Sequence, residues 1–210
     1  MSLRARRTRW GHGPIAWMVL VSSLVVGEAA AQTKTGTTIG QFLLIEPSAR
    51  FTALGNTGVA ADPDLDAVYF NPAVAGRLER FALQLSHVEW LAGIRHDYVA
   101  AAFPLGRWGT GFGTVTSLGS GEIDVRTVSQ PLGTGERYTV ADIAIGLGYA
   151  YAVTDRFAAG LQVRYLQETV WHTSADAVTF DIGTLFRISP LGLHLGSSLS
   201  NFGTSAGFSG

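Results

Sequence analysis

Residues 138–187 read YTVADIAIGLGYAYAVTDRFAAGLQVRYLQETVWHTSADAVTFDIGTLFR, and the fold is decided there. Ile143, Ile145, Leu147, Tyr149 and Tyr151 occupy every second position, with Asp142, Ala144, Gly146, Gly148, Ala150 and Ala152 between them. Side chains of a strand alternate between its faces, so this spacing predicts one apolar face and one small or polar face. The next strand sets Phe157, Ala159, Leu161, Val163 and Tyr165 against Gln162, Arg164 and Glu168. A third sets Val178, Phe180, Ile182, Phe186 and Ile188 against Thr179, Asp181 and Arg187. Successive long strands of this kind predict an all-β fold, the wall of an antiparallel transmembrane β-barrel with its apolar face toward lipid.

Working outward, seven strands are expected, at 80–90, 94–104, 107–118, 138–153, 156–169, 177–188 and 191–201. Most are long enough to cross a bilayer when tilted, which takes about 9–11 residues. The connections at 104–107, 154–156 and 189–191 are tight, whereas 119–137 and 171–176 are longer and more polar. Barrels of bacterial outer membranes keep short turns in the periplasm and long loops outside. The connection 91–93 is short although this count places it outside. Trp108, Tyr149, Tyr151, Phe157 and Phe186 then collect at the periplasmic level, and Trp90, Tyr138 and Trp171 at the outer one. Rings are expected at both interfaces of a membrane. Gly109, Gly111 and Gly113 suit either a glycine-lined inner face or a bulge. Seven is an odd count, and single-chain bacterial barrels close with an even one, so residues 79–210 are expected to form the amino-terminal part of a larger barrel.

Residues 1–31 have the form of a secretory signal peptide: Arg4, Arg6, Arg7 and Arg9, then an apolar run from Ile15 to Val26, then Ala29, Ala30 and Ala31 ahead of cleavage at Gln32. Removing this leader takes those four arginines and Glu28 from 15 basic and 16 acidic residues, leaving 11 against 15, a net charge of about −4. That balance, with Lys34 as the single lysine, excludes a nucleic-acid binder. There is no cysteine, so backbone pairing and packing must hold the exported fold. No stretch beyond the leader approaches the roughly 18 apolar residues of a transmembrane helix. The expected location is the outer membrane of a Gram-negative-type bacterium, with its lipid as a partner.

Residues 32–78 do not alternate and are not wall. Their densest part holds Ser48, Ala49 and Arg50, then Ala53, Leu54 and Gly55, then Gly58, Val59, Ala60, Ala61 and Asp62, and finally Asp66, Ala67, Val68, Tyr69, Phe70, Asn71, Pro72 and Ala73. Asn71 suits an N-cap, and Pro72 suits the first helical position, where its missing N–H is not needed. Gly55 and Gly58 permit tight bends. Here the chain resembles the PorV/PorQ family, relatives of the FadL outer-membrane transporters, in its small-residue stretch, acidic pair and aromatic-Asn-Pro-Ala motif. Phe70 stands where that family commonly has tryptophan, and Val74, Ala75 and Gly76 replace the commoner Gly-Leu-Ala. The resemblance implies that Gly55, Gly58, Asp62, Asp66, Asn71, Pro72 and Ala73 belong to a hatch folded back into the barrel. It also implies a role in type IX-like protein secretion or attachment, with secretion-system proteins as partners, or in passage of hydrophobic small molecules. The plainer reading of the motif is a turn into the first strand.

No enzyme is indicated. His87, His96, His172 and His194 lack metal-ligand spacing, and His96 with Asp97, or Ser86 with His87, must point to opposite faces of one strand. Asp62, Asp64 and Asp66 superficially match a calcium loop, without its glycine at the sixth position or its glutamate at the twelfth. Neither metal nor other cofactor is expected. Asp142, Gln162, Arg164, Asp181 and Arg187, with Glu168, are expected on the inner face, paired across strands or lining a watery lumen. The alternative is a soluble exported β-sandwich binding domain, which would show a polar exterior without aromatic girdles.

Overall fold

A computed structural model describes residues 39–188 and 192–204, all within the compact unit Thr37–Gly210. The expected leader lies outside the described residues. Nine strands follow in chain order: β1 (Ala82–Glu89), β2 (Arg95–Pro104), β3 (Thr110–Gly119), β4 (Ile123–Asp124), β5 (Arg137–Tyr138), β6 (Val140–Ala152), β7 (Phe157–Val170), β8 (Thr173–Ile188) and β9 (Leu193–Gly203). Strands β4 and β5 pair only with each other, a small ribbon within the long connection 120–139. The other seven form one antiparallel sheet in the order β1-β2-β3-β6-β7-β8-β9. Strands β1 and β9 are its edges, so the described sheet is open rather than closed on itself. No described helix is long and apolar enough to cross a membrane.

The alternation is carried through the sheet. On β6, Ile145, Leu147, Tyr149 and Tyr151 are exposed while Ala144, Gly146 and Ala150 are buried. On β7, Leu161, Val163 and Tyr165 are exposed and Gln162, Arg164, Leu166 and Glu168 buried. On β8, Phe180, Ile182 and Phe186 are exposed and Thr179, Asp181, Gly183 and Leu185 buried. Exposure of Leu85 at 70%, Leu147 at 72% and Ile182 at 59% marks a continuous outward apolar band. From Ile143 to Tyr151 the band runs about 27 Å along the strand, at about 3.4 Å per residue.

The pairing is also staggered. A row perpendicular to the strands joins Ala82, Ala102, Phe112, Gly148, Gln162 and Asp181. It begins at the first residue of β1 and meets β9 at a bulge at Ser200 and Asn201, between the pairs Phe180–Phe202 and Ile182–Leu199. That point is about seven residues above Leu193, the start of β9. A climb of about seven residues over six strand-to-strand steps, at about 3.4 Å along and about 4.8 Å across, is a slope of about 40°.

The N-terminal segment covers the inward face as a chain of short turns. These are 3₁₀ turns at Gln41–Leu44, Gly58–Ala60, Leu65–Tyr69 and Pro72–Arg77, with one short helix, α1 (Ala49–Ala53). Phe51, Leu65, Val68 and Val74 from this segment share one core with Tyr98, Phe112 and Leu185 of the sheet. A second core joins Phe42 and Leu43 to Leu118 and Leu166. The inward face is therefore packed by protein and is more apolar than its polar residues alone suggest.

Some expectations need correction. Residues 171–176 are not a longer loop: Trp171 and His172 alone connect β7 to β8, with Trp171 at φ 56°. Ala175 and Ala177 extend the inward row by two positions, which the small side chains disguise. The glycines of β3 do not line the inner face. Thr110, Phe112, Thr114 and Thr116 are buried, which places Gly111 and Gly113 outward. Gly148 on β6 makes this possible, since a Cβ there would lie 2.1 Å from the Phe112 ring.

Candidate functional site: the seam between the N-terminal segment and the sheet

The motif at Asn71-Pro72-Ala73 is seated on glycine. Asn71 is fully buried and extended, at φ −149°, and caps the turn Pro72–Arg77 by accepting from the Ala73 N–H at 3.0 Å. Its amide nitrogen donates to the Val59 carbonyl at 2.7 Å and to the Thr184 carbonyl at 3.0 Å. Asn71 thus fixes its own turn, the turn Gly58–Ala60 and strand β8 together. Gly160 and Gly183 face each other across β7 and β8 beneath it. A Cβ on Gly160 would stand 2.5 Å from the Pro72 carbonyl carbon, and one on Gly183 would stand 2.0 Å from Asn71 Oδ1. On β9 a Cβ at Gly196 would lie 2.1 Å from the Val59 oxygen. Three neighbouring strands therefore place bare backbone where the segment presses closest.

Gly58 is needed for similar closeness, because its Cβ would lie 2.2 Å from the Phe70 ring. Gly55 serves differently: it ends α1 at φ 73°, a left-handed conformation that favours glycine.

Charged groups tie the seam elsewhere. Asp62 pairs with Arg187 of β8, and Asp64 with Arg50. Asp66 accepts from the Ser48 hydroxyl at 3.0 Å, while Asp64 accepts from the Asp66 N–H at 3.0 Å. The three acids face separate partners, and the described residues contain no cluster of acids and histidines able to hold a metal ion. Glu168 accepts from the Gly40 N–H. Tyr69 donates to the Leu43 and Ile45 carbonyls, and burial pushes its phenol up to about 12.

Deeper in, Arg164 and Asp181 form an ion pair whose side chains are 8% and 2% exposed. Nε donates to Oδ2 at 2.7 Å, and Oδ1 accepts from the Asn201 N–H at 2.7 Å, holding the bulge of β9. Gln162 donates to Thr114 at 2.6 Å. Asp142 and Arg187 are partly exposed on the same face. All five inward candidates thus share the face that carries the segment, although only Arg164 and Asp181 pair with each other.

A pairing the sequence did not suggest lies outside. His87 Nδ1 is 2.6 Å from Asp97 Oδ1 across β1 and β2, and Asp97 is in register with Ser117 on β3, all three on the outward face. This order puts the carboxylate between hydroxyl and imidazole. Acyl transfer requires the imidazole in the middle, so the row is not a catalytic triad. Register alone links these residues, and alternation within one strand could not have revealed it.

Comparison with known protein families, with curated proteins and with solved structures returned no match.

Proposed function

We propose that the sheet is part of the wall of an outer-membrane β-barrel of the PorV/FadL type, with the N-terminal segment as its hatch. Its work is then passage of hydrophobic small molecules or type IX-like secretion and attachment. The observation carrying this reading is the outward apolar band. Six strand spacings of about 4.8 Å, roughly 29 Å across the strands, and a length of about 27 Å along them give a projected area on the order of 800 Å², beyond the roughly 300–600 Å² of the largest patch on a typical soluble monomer. The slope supports it too, since barrel strands tilt by about 35–45°. Strands β1 and β9 run in the same direction, so antiparallel closure needs an odd number of further strands between them. A soluble sandwich has no equivalent use for Leu85, Leu147 and Ile182 at the exposures they have.

Leu147→Arg tests the reading. In the bilayer the charge costs roughly 2–4 kcal/mol at mid-depth, so folded protein in the outer-membrane fraction should fall sharply. Val128→Arg, at a fully exposed site in the connection between β4 and β5, should be neutral. Equal yields of both variants in a soluble fraction would overturn the membrane assignment.

A further inference from the structure

The end of the sheet that carries the β2–β3 turn holds a cavity of about 920 Å³ between the irregular segment leading into β1, that turn and the ends of β6 and β8. Arg77, Arg80, Arg107 and Arg187 line it, opposed by Glu79. Arg187 is engaged by Asp62, whereas Arg80 and Arg107 form no ion pair among the described residues. Arg77 donates one Nη1 bond to the Asp155 carbonyl at 2.8 Å, while its Nε and Nη2 are buried without a hydrogen-bond partner. Burial and the neighbouring Arg187 charge both push the Arg77 guanidinium below its ordinary value. Buried donors on a cation demand an acceptor. The Nε–Nη2 edge of a guanidinium is the edge that grips two oxygens of one anion.

We infer that this cavity binds a phosphate group, held by Arg80 and Arg107 together with Arg77, whose Nε–Nη2 edge turns from its buried position onto the anion as it enters. A doubly charged oxyanion suits the surplus of cations better than a single carboxylate does. The cavity is far larger than a phosphate, and Leu78, Phe81, Pro104 and Tyr151 give it an apolar side. The phosphate is therefore one end of a larger ligand with an apolar body. This inference does not rest on the membrane reading, because the cavity lies within the described fold.

The test uses the full chain folded in neutral detergent, titrated with inorganic phosphate and followed by phosphorus NMR, and in parallel co-floated with phosphatidylcholine vesicles with or without phosphatidic acid. Saturable binding of either phosphate source is expected, weakened at least tenfold by Arg77→Gln and separately by Arg107→Gln, a surface change that leaves the fold's hydrogen bonds intact. Arg126→Gln, in the connection between β4 and β5, should leave it unchanged. Inorganic phosphate binding would point to a soluble phosphorylated ligand, and binding of phosphatidic acid alone to a lipid headgroup. Absence of saturable binding from both sources, or equal weakening by Arg126→Gln, overturns the site.

Discussion

Gly183 shows how much one missing methyl group decides. Its Cβ would occupy the position of Asn71 Oδ1, at 2.0 Å, with Pro72 Cδ at 2.9 Å. The oxygen cannot retreat without losing the Ala73 N–H and dragging the amide from the Val59 and Thr184 carbonyls. Gly183→Ala is therefore expected to destabilise the fold by about 1–3 kcal/mol, the usual range for overpacking. Protease cleavage within residues 39–78 should appear before any loss of the sheet. Gly113→Ala is the matched control, since its Cβ would meet only the Gly146 oxygen and Leu147 Cδ2 at 3.7 Å. Equal protease sensitivity of the two variants would separate the motif from the sheet and defeat this account.

Among elements, the N-terminal segment holds little regular hydrogen bonding of its own and depends on crossties. Tyr69, at the end of its 3₁₀ turn, reaches back to the Leu43 and Ile45 carbonyls and packs edge-on against Tyr98 of β2. Its folded-state value of about 12 lies above the ordinary 10. The folded state thus favours the neutral phenol, and the stability this contributes is whole below about pH 10 and fades as pH rises from about 10 to about 12. The loss is at most about 2–3 kcal/mol, because each tenfold change in an acid dissociation constant corresponds to about 1.4 kcal/mol. Urea unfolding at about pH 9 and about pH 11 should show a drop in midpoint that is smaller in Tyr69→Phe. An unchanged drop in that variant would assign the alkaline sensitivity elsewhere.

At the scale of the whole molecule, the proposed membrane wall sets where the interfaces should fall. Trp108, beside the β2–β3 turn, and Trp171, between β7 and β8, are 65% and 51% exposed at opposite ends of the sheet. Aromatic rings of a membrane wall belong at headgroup depth. In variants that retain only one of these tryptophans, reconstituted in vesicles, bromine placed near the headgroup should quench each more strongly than bromine at mid-chain. Stronger quenching from mid-chain, or none, would contradict the proposed orientation.

The period-two pattern of residues 138–187 determined the strands and the facing of their side chains, because alternation is a local property of extended backbone. The cap at Asn71 and Pro72 was legible for the same reason, since it involves only neighbours in sequence. Gly160, Gly183 and Gly196 were not legible: each looks like an ordinary small inward residue until the register brings β7, β8 and β9 side by side under the segment. The outward placement of Gly111 and Gly113 was likewise hidden, since the ring of Phe112 faces inward only where Gly148 leaves room across the strand pair. Tertiary structure alone also decided which of the inward charges meet. Arg164 finds Asp181 diagonally on the next strand, Arg187 finds Asp62 across a separation of 125 residues, and Arg77 is left with two buried donors. Alternation sets the face of a residue, but its partner depends on register and chain path, which no local spacing encodes.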